Sequence, residues 1–138
     1  MSSTNAESSP YVGRGGLKLR HALHTFGTDP SDLICADLGC NVGGFTDCLL
    51  QAGARRVYAV DTGYGALAWK LRQDPRVVVM ERTNALHAAP PTGGQGPIRI
   101  ELVVIDLGWT PQRHAIPAAL RWLAPGGRVI SLIKPHYE

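Results

Sequence analysis

Five short apolar runs punctuate the chain, at residues 33–38, 56–60, 77–80, 102–107 and 128–133, and each gives way to a polar turn or a helical pattern. Their length and their β-branched content predict strands. Between the first two, Phe45, Cys48, Leu49 and Ala52 recur at helical spacing over residues 44–52, and Gly53 follows as a stop. Residues 66–72 form a second, shorter helical pattern closed by Asp74-Pro75. Residues 111–123 form a third, ended by Ala124-Pro125-Gly126-Gly127. Ahead of the first strand, Leu17, Leu19, Ala22, Leu23 and Phe26 predict one more helix. Strands alternating with helices imply an α/β fold, a mainly parallel sheet covered by helices on both faces and joined by right-handed crossovers. The proline- and glycine-rich stretch 89–97 reads as a flexible connection without visible chemistry.

Composition adds bounds to this picture. At 138 residues the chain suits one domain, which buries roughly two thirds of its unfolded surface. The expected organisation is a flexible tail over 1–10 and one domain over 11–138, with no internal repeat and no linker. No apolar run approaches the roughly 18 residues of a membrane span, and the polar N-terminus lacks the basic and apolar regions of a signal peptide. A cytoplasmic location is expected. The three cysteines are odd in number and form no C-x-x-C pair; Cys35 and Cys48 fall on an expected strand and an expected helix, so metal binding is not predicted. A net charge of +3 and a pI near 9.0 permit a nucleic-acid partner without requiring one.

The candidate chemistry begins where the first apolar run meets Asp37-Leu38-Gly39-Cys40-Asn41-Val42-Gly43-Gly44-Phe45-Thr46-Asp47. A strand ending in an acid and a glycine-rich turn that opens a helix is the layout of a nucleoside-binding crevice. Gly39, Gly43 and Gly44 would let the backbone turn and approach a ligand where a Cβ would collide. The spacing is G-x-x-x-G-G, not the G-x-G-x-x-G of a dinucleotide fingerprint. An acid beside a looser turn suits a ligand with a positive centre, such as S-adenosylmethionine; the same turn also serves as a plain strand-to-helix connection.

Ligands of open α/β sheets sit beyond the carboxyl ends of the strands, and those ends are polar here. Asp61 follows the second strand, Glu81, Thr83 and Asn84 the third, Asp106 the fourth and Lys134 the fifth. Asp61 stands 22 positions after Gly39, near the interval at which an acid reaches ribose hydroxyls. It equally suits a cap on the turn Asp61-Thr62-Gly63. Asp106 must be exposed in a crevice or paired, and neighbouring fourth and fifth strands would bring it to Lys134. Arg14, Lys18, Arg20 and His21 surround an amphipathic helix, as phosphate contacts or as an ordinary solvated face.

Taken in order, Arg14-Gly15-Gly16-Leu17-Lys18-Leu19, Gly43-Gly44-Phe45-Thr46-Asp47-Cys48-Leu49-Leu50, Val57-Tyr58-Ala59-Val60-Asp61, Gly63-Tyr64-Gly65, Trp69-Lys70-Leu71-Arg72, Glu81-Arg82-Thr83-Asn84, Leu102-Val103-Val104-Ile105-Asp106 and Pro125-Gly126-Gly127 resemble one family. It is the TlyA/FtsJ-type family of S-adenosylmethionine-dependent RNA 2′-O-methyltransferases, in its TlyA (haemolysin-like) branch. The resemblance implies a Rossmann-like methyltransferase fold with five strands present and the last two family strands missing. It implies a cofactor site of Asp37, Gly39, Cys40, Asn41, Gly43, Gly44 and Phe45, with Asp61 on the ribose, Thr83 and Asn84 near the adenine, and Asp106 beside them. It maps three of the family's four Lys-Asp-Lys-Glu catalytic residues onto Lys18, Asp106 and Lys134. Arg14, Lys18, Arg20 and His21 would contact RNA, ribosomal RNA by family analogy. The chain departs from the branch at Cys40-Asn41-Val42, where Ala-Ser-Thr is usual, and at Leu107-Gly108-Trp109, where Val-Ser-Phe is typical. The expected S4 domain and the segment carrying the fourth catalytic residue are not in the sequence, and Glu138 does not take that role.

Methyl transfer to a ribose 2′-oxygen needs a group that deprotonates or polarises the hydroxyl and positive charge for the developing alkoxide. Lys134 is assigned that task, Asp106 its orientation, and Lys18 charge stabilisation. The rival readings are a catalytically silent module that binds the cofactor or RNA, and a methyltransferase acting on a small molecule or protein. A dinucleotide-dependent oxidoreductase is more remote, because the glycine spacing is wrong. Strand five would be an exposed apolar edge, the expected seat of a homodimer contact.

Overall fold

The computed structural model describes residues 9–108 and 110–135. Tail residues 1–8, Trp109 and Glu138 therefore lie outside the described residues. Helix α1 (Gly15–Phe26) is followed by β1 (Ile34–Leu38), α2 (Gly44–Gln51), β2 (Arg56–Val60), α3 (Trp69–Arg72) and β3 (Val77–Met80). A small antiparallel pair, β4 (Thr92–Gly93) and β5 (Gly96–Pro97), precedes β6 (Ile100–Ile105), α4 (Gln112–Trp122) and β7 (Leu123–Ser131).

The main sheet has the order β3-β2-β1-β6-β7, and every pair in it is parallel. The chain runs outward from β1 to β2 and β3, then returns to the other side of β1 as β6. This reversal leaves a crevice beyond the carboxyl ends of β1 and β6, the place where open α/β sheets take ligands.

Strand residues alternate between two apolar layers, as the pleat requires. Cys35, Val57, Ala59, Leu102 and Val104 pack against Leu19 and Leu23 of α1 and Cys48, Leu49 and Leu50 of α2. Ala36, Leu38, Tyr58, Val60, Val103 and Ile105 pack against Ala115, Ala119 and Trp122 of α4. The Rossmann-like arrangement expected from the sequence is thus present, with helices on both faces.

Several boundaries move. The fourth strand begins at Ile100 rather than at 102, and the last begins at Leu123 and ends at Ser131 rather than covering 128–133. Pro125-Gly126-Gly127 does not separate helix from strand; it lies inside β7 at a bulge, where the register advances two residues on β6 against five on β7. Gly127 suits that bulge, since a Cβ there would stand 2.5 Å from Leu123 Cδ1 and 2.9 Å from the Glu101 carbonyl oxygen. Helix α3 starts at Trp69 because Ala68 is extended at φ −57°, ψ 142°. The stretch 89–97 is more ordered than a plain connection, since it carries the β4–β5 pair.

Candidate functional site

A crevice of about 390 Å³ opens beyond the strand ends. Gly39 and Asn41 line it from β1, Asp61 and Thr62 from β2, Thr83 and Asn84 from β3, and Asp106, Gly108 and Thr110 from β6, with Lys134 closing one side. A smaller recess of about 170 Å³ shares Gly39, Asn41 and Asp106 and adds Arg14, Cys40, Gly44 and Phe45.

The loop after β1 is fastened to the end of β2. The Gly39 and Cys40 N–H groups both donate to the Val60 carbonyl, at 2.8 and 2.9 Å. Asn41, at φ 48°, donates its N–H to Asp61 Oδ1 at 3.2 Å. Asp61 Oδ2 accepts the Gly63 N–H at 2.9 Å. Asp61 therefore caps its own turn and lines the crevice at once. Each carboxylate oxygen has accepting capacity beyond its single backbone donor.

The glycines of the loop each have a close protein neighbour. A Cβ on Gly39, which sits at φ 88°, would lie 2.3 Å from the Asp106 carbonyl oxygen. One on Gly43, at φ 107°, would lie 2.3 Å from Leu71 Cδ1, and one on Gly44 would lie 2.8 Å from the Gly16 nitrogen. Close approach of β1 to β6, of the loop to α3, and of α2 to α1 requires these residues.

Asp37 does not face the crevice. It is fully buried beneath the loop, where the Thr46 hydroxyl donates to its Oδ2 at 2.7 Å and, among the described residues, no hydrogen bond reaches Oδ1. Burial is the main reason its carboxyl is pushed up to about 7, and the charges of Asp106 and Asp61 push the same way against the Thr46 bond. Asp37 thus keeps its proton to a far higher pH than an exposed aspartate does.

At the far side, Lys134 Nζ lies 2.7 Å from Asp106 Oδ1, and both side chains are about a third exposed, at 33% and 28%. The neighbouring β6 and β7 bring them together, as the strand order predicted. Lys18 is placed otherwise. It is exposed on α1, lines neither recess, and makes no hydrogen bond or ion pair among the described residues. Arg14, Arg20 and His21 are also on or next to α1. Arg20 lies over the Tyr11 ring at 5.8 Å, and the His21 ring nitrogen is 3.5 Å from Thr25 Oγ1. Of these, Arg14 alone borders either of the two recesses just described.

Thr83 and Asn84 line the crevice, but their side chains are engaged locally. The Thr83 hydroxyl donates to the Glu81 carbonyl at 2.8 Å, and Asn84 Oδ1 accepts the Leu86 N–H at 3.0 Å.

Two supports were not anticipated as such. Arg72 forms a two-pronged pair with Glu81, at 2.8 and 2.7 Å, and Glu81 also accepts the Gly65 N–H. The Arg72 hydrogen bonds first, then the Gly65 N–H, hold the Glu81 carboxyl down to about 2. This clamp fixes the 61–65 turn against β3. Asp47, buried on α2, accepts the Val12 N–H at 2.9 Å and pairs with Lys70 at 3.5 Å, tying the segment before Arg14 to α2 and α3. The signal for the first was an Arg and a Glu nine residues apart at a helix and a strand end, a spacing that points nowhere until the chain turns back.

Fold and site together define a Rossmann-like α/β protein of the methyltransferase type, with its crevice at the reversal of strand order. The FtsJ-like methyltransferase model matches residues 11–138, and the chain belongs to that family. It is 49% identical over 128 residues to the candidate rRNA methyltransferase YqxC of Bacillus subtilis, covering 93% of this chain and 45% of that protein. It is 43% identical over 128 residues to the 16S/23S rRNA (cytidine-2′-O)-methyltransferase TlyA of Mycobacterium tuberculosis, covering 93% and 47%. Among solved structures, a candidate hemolysin from Streptococcus thermophilus superposes with a TM-score of 0.88 at 44% identity, over 94% of this chain and 46% of that one. The chain thus spans about half the length of these relatives.

Proposed function

We propose that the chain is the catalytic portion of an S-adenosylmethionine-dependent methyltransferase that modifies a ribose 2′-hydroxyl of ribosomal RNA. One observation carries the reading: the Lys134–Asp106 ion pair lines the same crevice as Asp61 and as Gly39 and Asn41 of the loop after β1. The names of YqxC and TlyA, relatives at 49% and 43% identity, supply the RNA substrate. The residues present fit the cofactor: Asp61 would hold its ribose hydroxyls, Gly39 and Asn41 would border it, and Thr83 and Asn84 would flank the adenine. S-adenosylmethionine supplies a methyl group activated on a sulfonium.

Lys134 meets the acceptor. Its ammonium, 2.7 Å from the Asp106 carboxylate, would hydrogen-bond the ribose oxygen and stabilise the alkoxide that develops there. Asp106 aims the ammonium and keeps it from swinging into solvent. The hydroxyl proton leaves to water through the open crevice. Arg14, with Lys18, Arg20 and His21 exposed on α1, provides positive charge for the RNA backbone.

The position of Lys18 outside both recesses favours a second reading, a module that binds the cofactor without turnover. Calorimetric titration of S-adenosylmethionine and S-adenosylhomocysteine, with NAD as control, followed by a methyl-transfer assay on ribosomal RNA, separates the two. Binding of the first pair alone together with 2′-O-methylation supports the enzyme; binding without product supports the silent module, and no binding by folded protein refutes both.

A further inference from the structure

Lys134 stands past the last rung of the sheet. β7 ends at Ser131, and the Leu132 N–H makes a final bond of 2.8 Å to the Ile105 carbonyl. Ile133 is then 60% exposed, so nothing in the ladder itself orients the next side chain. An edge strand that continues past its pairing frays, and a lysine on it brings four side-chain torsions of its own.

The first residue of α4 supplies what the ladder lacks. The Ser131 hydroxyl donates to Gln112 Oε1 at 2.5 Å, while Gln112 Nε2 donates to the Leu132 carbonyl at 3.3 Å. Both ends of one amide thus grip Ser131, the last residue of β7, and Leu132 directly after it, just before Lys134. Gln112 is itself seated on a helix whose Ala115, Ala119 and Trp122 are buried against the sheet. The grip therefore connects the strand end to a rigid body rather than to another loop.

We infer that Gln112, with Ser131, is a positioning residue for Lys134, holding the strand end so that its ammonium stays on Asp106 and on the acceptor oxygen. The inference rests on the methyl-transfer reading of Lys134 for its catalytic consequence, but the clamp itself is measurable without turnover. A misplacement of about 1 Å in a reacting group costs up to about a hundredfold in rate, and a loosened one somewhat less.

The test uses the full chain with ¹³Cε-labelled lysine. There are three lysines, Lys18, Lys70 and Lys134, so each signal is assigned by one Lys→Arg variant. In the parent protein Lys134 should show the highest side-chain order and separate signals for its two Hε protons. Gln112→Ala should average those signals and lower that order, leave Lys18 and Lys70 unchanged, and reduce kcat about tenfold at unchanged cofactor Kd. Gln112→Glu keeps an acceptor for Ser131 and should restore part of both. Ser131→Ala, which removes only the hydroxyl, is the second variant should Gln112→Ala fold poorly, and should shift both readouts in the same direction. Unchanged Lys134 order in folded Gln112→Ala and Ser131→Ala proteins overturns the inference. If the parent transfers no methyl group, the enzyme reading fails while the order measurement still decides the clamp.

Discussion

Lys134 Nζ and Asp106 Oδ1 are 2.7 Å apart, although their residues stand beyond the last hydrogen bond between β6 and β7. About a third of each side chain is exposed, so screening by water leaves the pair worth no more than about 1 kcal/mol to folding. Both residues line the crevice, where the proposed methyl transfer would use them.

Lys134→Ala should accordingly lower kcat by at least about a hundredfold, the scale on which one stabilising donor is lost, and change stability little. Cofactor Kd should stay within about threefold, since Asp61, Thr83 and Asn84, which would hold that ligand, come from the ends of β2 and β3. A variant that loses cofactor affinity instead would contradict the role given to Lys134.

Asp37 imposes a pH dependence of its own. The folded protein holds its proton up to about pH 7, while the unfolded chain releases it near the ordinary 3.8. Between these values the folded state binds more protons. Asp37's contribution to stability is therefore lost as pH rises from about 4 to 7, by up to about 1.4 kcal/mol per pH unit, and is flat above. Asp37→Asn should remove this slope. Urea midpoints of both proteins from pH 4 to 8 check it, and parallel curves would refute it.

Glu81 works in the opposite sense. With its carboxyl depressed to about 2, its contribution is present above the ordinary 4.5 and is lost as pH falls toward 2. Glu81→Gln weakens the hold on the 61–65 turn, and through it the aim of Asp61. Cofactor binding should weaken severalfold at neutral pH while the thermal midpoint moves modestly. Equal affinity in calorimetry would show that the clamp is not part of the site.

Gly39 and Gly65 both have positive φ, at 88° and 79°, but only Gly39 has a neighbour in the way of a Cβ. Gly39→Ala should cost about 2–4 kcal/mol, from backbone strain and overpacking together, whereas Gly65→Ala should cost about 1–2 from strain alone. Denaturant titration of the two gives the comparison, and equal losses would remove the packing argument.

Burial pushes the Cys35 thiol up to about 12 and raises those of Cys40 and Cys48 as well. None offers a thiolate at pH 8. Thiol-reactive dye should therefore label the protein at the rate of unfolding, and rapid labelling of the native protein would contradict the buried placement.

The sequence by itself determined the parallel sheet, its helices and the ring of polar residues at the strand ends. Uniformly apolar runs of strand length and helical spacings of Phe45, Cys48 and Leu49 are local patterns, set by which positions burial will tolerate. It also placed Asp106 and Lys134 together, because neighbouring parallel strands carry their ends to the same side. Only the tertiary structure decided which neighbour each group meets. Gly39 is glycine because the Asp106 carbonyl passes 67 positions away in the chain, and Asp37 turns under the loop to Thr46 rather than into the crevice. Lys18 has a motif position that suggested the catalytic centre, yet the face of α1 buried by Leu19 and Leu23 leaves it in solvent. The bulge at Pro125-Gly126-Gly127 and the Gln112 grip depend on how α4 lands on the sheet. A pattern of burial along the chain constrains faces, whereas a hydrogen bond between distant residues depends on angles and distances that only the packed layers set.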